Sequence, residues 1–186
     1  MKKLLSLLIL SVFLVSSCSD GERGPEGPQG PPGEPGINIV GQTFEFEDID
    51  FDYNAEDNLH TYLLNIPEDI EVIESDAILV YRLEVAPTDD GGSVETWSLI
   101  PQNFFLDQGT MQYVYNHTAV DVQLLIDGNF DLSTLSDDFT QDQVFRFVVV
   151  PSDFIAEAGI DANNFQAVMN ALNLEEQDIQ QVRSIN

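Results

Sequence analysis

A surface that does chemistry needs a nucleophile, a positioned acid or base, or a set of ligands, and in this 186-residue chain such groups are few apart from carboxylates. There are two histidines, His60 and His117, one cysteine, Cys18, and 33 Asp and Glu. A hydrolytic site would set a Ser, Thr or Cys beside a base. His60 and His117 each fall inside a run of strand character, His60 on one face with Tyr62, Leu64 and Ile66, His117 with Tyr113 and Tyr115. Neither stands in a Ser or Asp motif, so both read as half-buried structural histidines. The Gly-x-Ser-x-Gly elbow, the Walker phosphate loop and the dinucleotide fingerprint are absent from the sequence. Paired carboxylates are so common that no glycosidase dyad stands out among them, and no catalytic residue is assigned.

The same abundance of oxygen donors makes a hard cation the better ligand candidate. In Asp127-Gly128-Asn129-Phe130-Asp131, the residues Asp127, Asn129 and Asp131 copy the first three ligand positions of an EF-hand calcium loop. The pattern departs at the sixth place, where Leu132 replaces the turn glycine, and at the twelfth, where Asp138 stands for the bidentate Glu. Without flanking helices, a plain polar turn is the competing reading. Asp48, Asp50 and Asp52 also recur at alternate positions, where a bound cation would relieve repulsion and a solvated edge strand would explain them equally well. Asn116-His117-Thr118 fits a glycosylation sequon, a pattern that also arises by accident.

The elements that would position any such site begin with Cys18. Lys2 and Lys3, the apolar run Leu4 to Val15 and the small pair Ser16-Ser17 have the three parts of a secretory signal, residues 1–17. The apolar run is too short for the roughly 20 residues of a membrane-spanning helix. Leu14-Val15-Ser16-Ser17-Cys18 resembles a bacterial lipobox. That resemblance implies cleavage before Cys18, diacylglycerol on its sulfur and acylation of its new amino group. Two or three acyl chains hold a protein stably to a membrane. Glycine then falls at 21, 24, 27, 30, 33 and 36, framing five collagen-like triplets that carry five of the nine prolines. Such a period suits the triple helix, whose crowded axis admits only glycine, and equally an extended polyproline stalk of a single chain. Residues 18–36 are therefore an anchor and stalk, and a homotrimer through the triplets is the alternative to a monomeric spacer.

Cleavage would remove both lysines and leave four arginines against 33 acids. That charge repels phosphate backbones and anionic headgroups, so nucleic acid is excluded as a partner and the lipid must hold the protein to its membrane. The chain is nonetheless 43% hydrophobic with twelve Phe, five Tyr and one Trp, which suffices for a core. Residues 37–186 are the size of one acidic β-rich domain. Phe44 and Phe46 alternate with Glu45 and Glu47, then the parity flips so that Ile49, Phe51 and Tyr53 share a side. This predicts a strand with a bulge or tight turn near Glu47-Asp48. Strand-length runs follow at 59–66, 77–85, 94–100, 112–117, 119–126 and 144–150, and Asp89-Asp90-Gly91-Gly92 marks a hairpin. The run 144–150, apolar nearly throughout, reads as a central strand covered on both faces. Asp161 to Leu172 reads as a helix, and Leu174 to Val182 as a second short one. The fold class expected is mainly β, an antiparallel β-sandwich-like domain with one or two C-terminal helices.

The order of parts resembles a family. The lipobox, the collagen-like run, "VIESDAILVYRLE", a Trp-containing strand ending "LIPQ", "DLSTLSDDFTQDQVFRFVVVPSDF" and "NNFQAVMNALNL" together are similar to the collagen-like lipoproteins of Bacteroidota, especially the flavobacterial type. The resemblance implies an exported envelope lipoprotein, lipid-anchored, in the outer membrane and surface-exposed, and it supplies no catalytic motif. The function expected is a non-catalytic binding or assembly module for an extracellular or envelope ligand, without cofactor unless calcium binds. A surface hydrolase and a purely structural spacer are the alternatives. A binding module should display a concave aromatic or acidic patch, and a spacer should not.

Overall fold

The apolar run at 143–151 dictates the centre of the fold, because a strand with no polar side needs cover on both. The computed structural model describes residues 41–151, Phe154 and residues 159–183. The signal sequence, Cys18 and the triplets lie outside the described residues. In chain order the strands are β1 (Gln42–Ile49), β2 (Asp52–Asn54), β3 (Leu59–Asn65), β4 (Asp76–Pro87), β5 (Ser93–Leu99), β6 (Gln102–Leu106), β7 (Gly109–His117), β8 (Asp121–Gly128), β9 (Gln143–Pro151) and β10 (Gln180–Arg183). Two helices are α1 (Asp137–Thr140) and α2 (Phe165–Ala171).

The strands form two five-stranded sheets, ordered β10-β1-β9-β4-β5 and β2-β3-β8-β7-β6. Every pairing is antiparallel except that of β10 with β1. The β-sandwich-like architecture read from the alternating pattern is the one observed. β9 lies at the middle of the first sheet, and its alternate side chains divide between two cores. Phe145, Phe147 and Val149 point inward with Phe44, Phe46, Ile78 and Val80 against Met111, Tyr113, Val122, Leu124 and Ile126 of the second sheet. Phe44 stacks on its cross-strand partner Phe147 with centroids 4.9 Å apart. Val148 and Val150 point the other way, into an outer layer closed by Phe165, Val168, Met169 and Leu172 of the α2 region and by Ile179. The apolar stripe of α2 thus exists to cover β9.

Local signals account for most boundaries. The slip read at Glu47-Asp48 is a bulge, where the register with β9 shifts and Asp48 takes φ +57°. The Asp89–Gly92 hairpin joins β4 to β5, with Thr88 N donating to Gly92 O and Gly91 at φ +82°. Three expectations change. Residues 42–53 are not one strand: after the bulge β1 ends, and Asp52–Asn54 crosses to pair with β3 in the other sheet. The segment 102–106, outside the strand-length runs read from the sequence, is strand β6, with Phe104 turned to the core and Phe105 to water. Leu174–Val182 is not a second helix. A single 3-10 turn at Glu176–Asp178 leads into β10, because pairing with the free edge of β1 outweighs the local helical pattern.

Candidate functional site

Two of the four arginines stand on β-strands with their guanidinium groups buried, and each builds a distinct polar centre. Arg82 follows Ile78 and Val80 on the inner face of β4 and closes one end of the inner core. Its Nε donates to Gln143 Oε1 at 2.9 Å, and its guanidinium lies 4.6 Å from the Tyr113 ring centre and 5.5 Å from that of Phe104. Tyr113 in turn donates to Phe139 O at 2.6 Å. Burial pushes the Tyr113 hydroxyl up to about 12, with Arg82 pulling the other way. A cavity of about 380 Å³ opens beside Arg82, rimmed by Glu84, Asp138 and Asp142.

Arg146 occupies the outer face of β9, one residue from each of the inward Phe145 and Phe147. In the antiparallel ladder it stands directly opposite Glu45, and the two are ion-paired, both nearly withdrawn from water. Glu176, on the 3-10 turn, supplies a second carboxylate at 2.9 and 3.0 Å. The guanidinium carbon sits 4.0 Å from the Trp97 ring centre and 5.2 Å from that of Phe165. Beside this cluster lies an open groove of about 420 Å³, lined by Trp97, Phe165 and the polar residues of the 161–166 segment, with Glu95 and Glu176. It is open, and its lining combines aromatic Trp97 and Phe165 with acidic Glu95, Asp161 and Glu176. Sequence reasoning missed it, although one signal was present: an arginine in the middle of an apolar strand requires a buried partner.

The residues singled out from the sequence do not converge there. Asp127 Oδ1 accepts from Gly128 N and its Oδ2 from Gln112, Asn129 Oδ1 accepts from Thr110 N, and Asp131 Oδ1 accepts from both Ser133 N and Ser133 Oγ. Each thus serves its own turn at the end of β8, and the Ser133 hydroxyl and amide hold the Asp131 carboxyl below its ordinary value. Asp48, Asp50 and Asp52 fall on the bulge, the crossing and β2 respectively, and Asp50 accepts from Asp142 N. Among the described residues, no group of three or more His, Cys, Asp or Glu side chains is placed to hold a metal ion. The other displaced carboxyl, Asp90, is lowered by Thr88 in the exposed β4–β5 turn.

His60 is buried against Tyr53, its Nε2 2.9 Å from Leu132 O and its Nδ1 without a partner among the described residues. Nε2 therefore carries the proton and donates to that carbonyl, and the imidazole anchors the 129–132 loop. Asn58 strengthens the same junction, donating to Phe130 O and accepting from Leu132 N. His117 stacks beside Tyr115 at the edge of a cavity of about 570 Å³ whose rim includes exposed Ile73 and Val120. Among the described residues, no helix is long and apolar enough to cross a membrane. No family model, curated protein or solved structure matches the chain.

Proposed function

We propose that the chain is an envelope lipoprotein, akin to the collagen-like lipoproteins of Bacteroidota, in which acylated Cys18 anchors a collagen-like stalk that presents an acidic β-sandwich for non-catalytic binding outside the bilayer. The groove floored by Trp97 and Phe165 carries this reading. Trp97 is half-buried and borders an open groove beside polar side chains, an arrangement that offers a ligand an aromatic contact and that a pure spacer has no need of. The lipobox and the charge support the rest: an acidic domain is repelled by anionic headgroups and so stands away from the membrane that its lipid holds.

The test is metabolic labelling with an alkyne fatty acid in cells, followed by fractionation and protease shaving of intact cells. Wild type should carry label, partition with the outer membrane and be shaved. Cys18→Ala should lose the label and leave the membrane fraction; retention of both would sink the anchoring. Light scattering of the full chain in detergent, with calcium and with EDTA, reads the remaining choices. A mass three times the protomer supports assembly through the triplets, and a calcium-dependent mass supports a cation in the acidic turns.

A further inference from the structure

We propose that the groove beside Trp97 is a subsite for a neutral saccharide, with the indole as the stacking platform and the 161–166 segment supplying hydrogen bonds. The inference rests on the binding-module reading and specifies its ligand. Charge narrows the class first. Glu95, Asp161 and Glu176 line the groove, in a chain of net charge −27, so an anionic ligand is repelled. A cation stacked on Trp97 is disfavoured for a different reason. Arg146 already stands 4.0 Å from the ring centre, and a guanidinium there draws on the quadrupole that a second cation would need. The cavity, which Arg146 does not line, borders the remaining indole surface. What stays favourable is a neutral ring with an apolar face and a polar edge.

The hydrogen-bonding inventory fits such a ring. Among the described residues Asp161 accepts through Oδ1 alone, from Asn163, and Oδ2 has no partner. Asn164 spends its carbonyl oxygen on the α2 cap at Ala167 N and Gln166 its amide on Asn170, while the Asn164 amide and the Gln166 carbonyl oxygen have no partner among the described residues. The Asn163 carbonyl oxygen, the Glu95 carboxylate and the indole N–H have no hydrogen-bond partner among the described residues. The lining thus offers both acceptors and donors, which is what hydroxyls, each donor and acceptor, require. The volume, about 420 Å³, is within the range of small-ligand sites. The floor is also preorganised: Phe165 meets Tyr81 edge-on at 5.0 Å, and Tyr81 donates to Ala162 O at 2.6 Å, tying the segment to the sheet.

Trp97 is the only tryptophan in the chain, so intrinsic emission reports this groove alone. The experiment titrates the full chain, in a detergent without a sugar headgroup, with neutral oligosaccharides of glucose, mannose and N-acetylglucosamine. Spermine and an oligogalacturonate serve as the cationic and anionic counterparts. A saturable change in Trp97 emission with at least one neutral oligomer, half-complete near or below about 1 mM, is expected. The paired substitution Asn163→Ala and Gln166→Ala should weaken it at least about fivefold while the thermal unfolding curve stays in place. Emission moved only by spermine or only by oligogalacturonate, or by none of the panel, overturns the assignment. So does saccharide binding that the paired substitution leaves unchanged. Failure here with surface display and labelling intact removes the ligand and not the anchored presentation; loss of display with saccharide binding intact does the reverse.

Discussion

Replacing Glu45 by glutamine tests whether the outer layer depends on a buried ion pair. The Glu45 side chain is 7% exposed and faces Arg146, whose side chain is 11% exposed. Removing one partner of a buried pair costs about 3–5 kcal/mol, because the remaining charge is left without compensation. Arg146 keeps Glu176, but that side chain is 66% exposed and such a contact is worth at most about 1 kcal/mol. Stacking on Trp97 also persists. The expected loss for Glu45→Gln is therefore about 2–4 kcal/mol, read by urea unfolding, with a fall in Tm of roughly 5–15 °C for a domain of this size. Glu176→Gln should cost less than about 1 kcal/mol. The pair of changes Glu45→Leu and Arg146→Met, which removes both charges, should recover to within about 1 kcal/mol of wild type. Equal effects of Glu45→Gln and Glu176→Gln would refute the reasoning, since burial would then not distinguish the two carboxylates.

Other outcomes follow from single contacts. Phe147→Ala, which empties the stack on Phe44 in the inner core, should destabilise by about 3–5 kcal/mol in the same assay. Asn58 sits at φ +54° and clasps the 130–132 backbone, so Asn58→Gly, which keeps the backbone conformation and drops the hydrogen bonds, should still cost about 1–3 kcal/mol in thermal unfolding. Tyr113 is raised from 10 to about 12 in the folded state, so its contribution is fully present below pH 10 and is lost as pH climbs toward 12. Unfolding free energy measured between pH 9 and 12 should decline, and Tyr113→Phe should flatten part of that decline. Asp48→Val at the bulge, φ +57°, should cost about 1–2 kcal/mol, whereas Asp48→Gly should be neutral or stabilising by calorimetry.

Much of the sandwich is legible because its cues are local. The period-2 runs, the Asp-Asp-Gly-Gly turn and the flipped parity at residue 47 each act over a few residues, and each is found where the pattern puts it. The apolar run 144–150, broken only by Arg146, also foretells a second covering layer, and the Phe165 to Leu172 stripe supplies it. What escapes is nonlocal. Gln180–Arg183 becomes a strand only because β1 offers an open edge about 135 residues earlier in the chain, and nothing in "LEEQDIQQV" records that edge. The groove is hidden for the same reason: Trp97, Arg146 and Phe165 come from three separate elements, and only the sheet order brings them together. The calcium pattern, by contrast, is a local motif whose side chains are drawn into turn hydrogen bonds instead of toward one point.

The strand order also bears on how such a chain becomes a folded domain as it is synthesised. Among the described strands β1 is made first, yet both of its neighbours, β9 and β10, come from residue 143 onward. Until roughly a hundred further residues have followed, β1 has an aromatic face and two bare edges with nothing of its own sheet to meet. The first sheet is thus completed by β10, about 130 residues after β1, and an escort that shields Phe44 and Phe46 would be required most in that interval. A truncation or rigid fusion placed just after residue 179 acts, through the ladder, on the opposite end of the sequence.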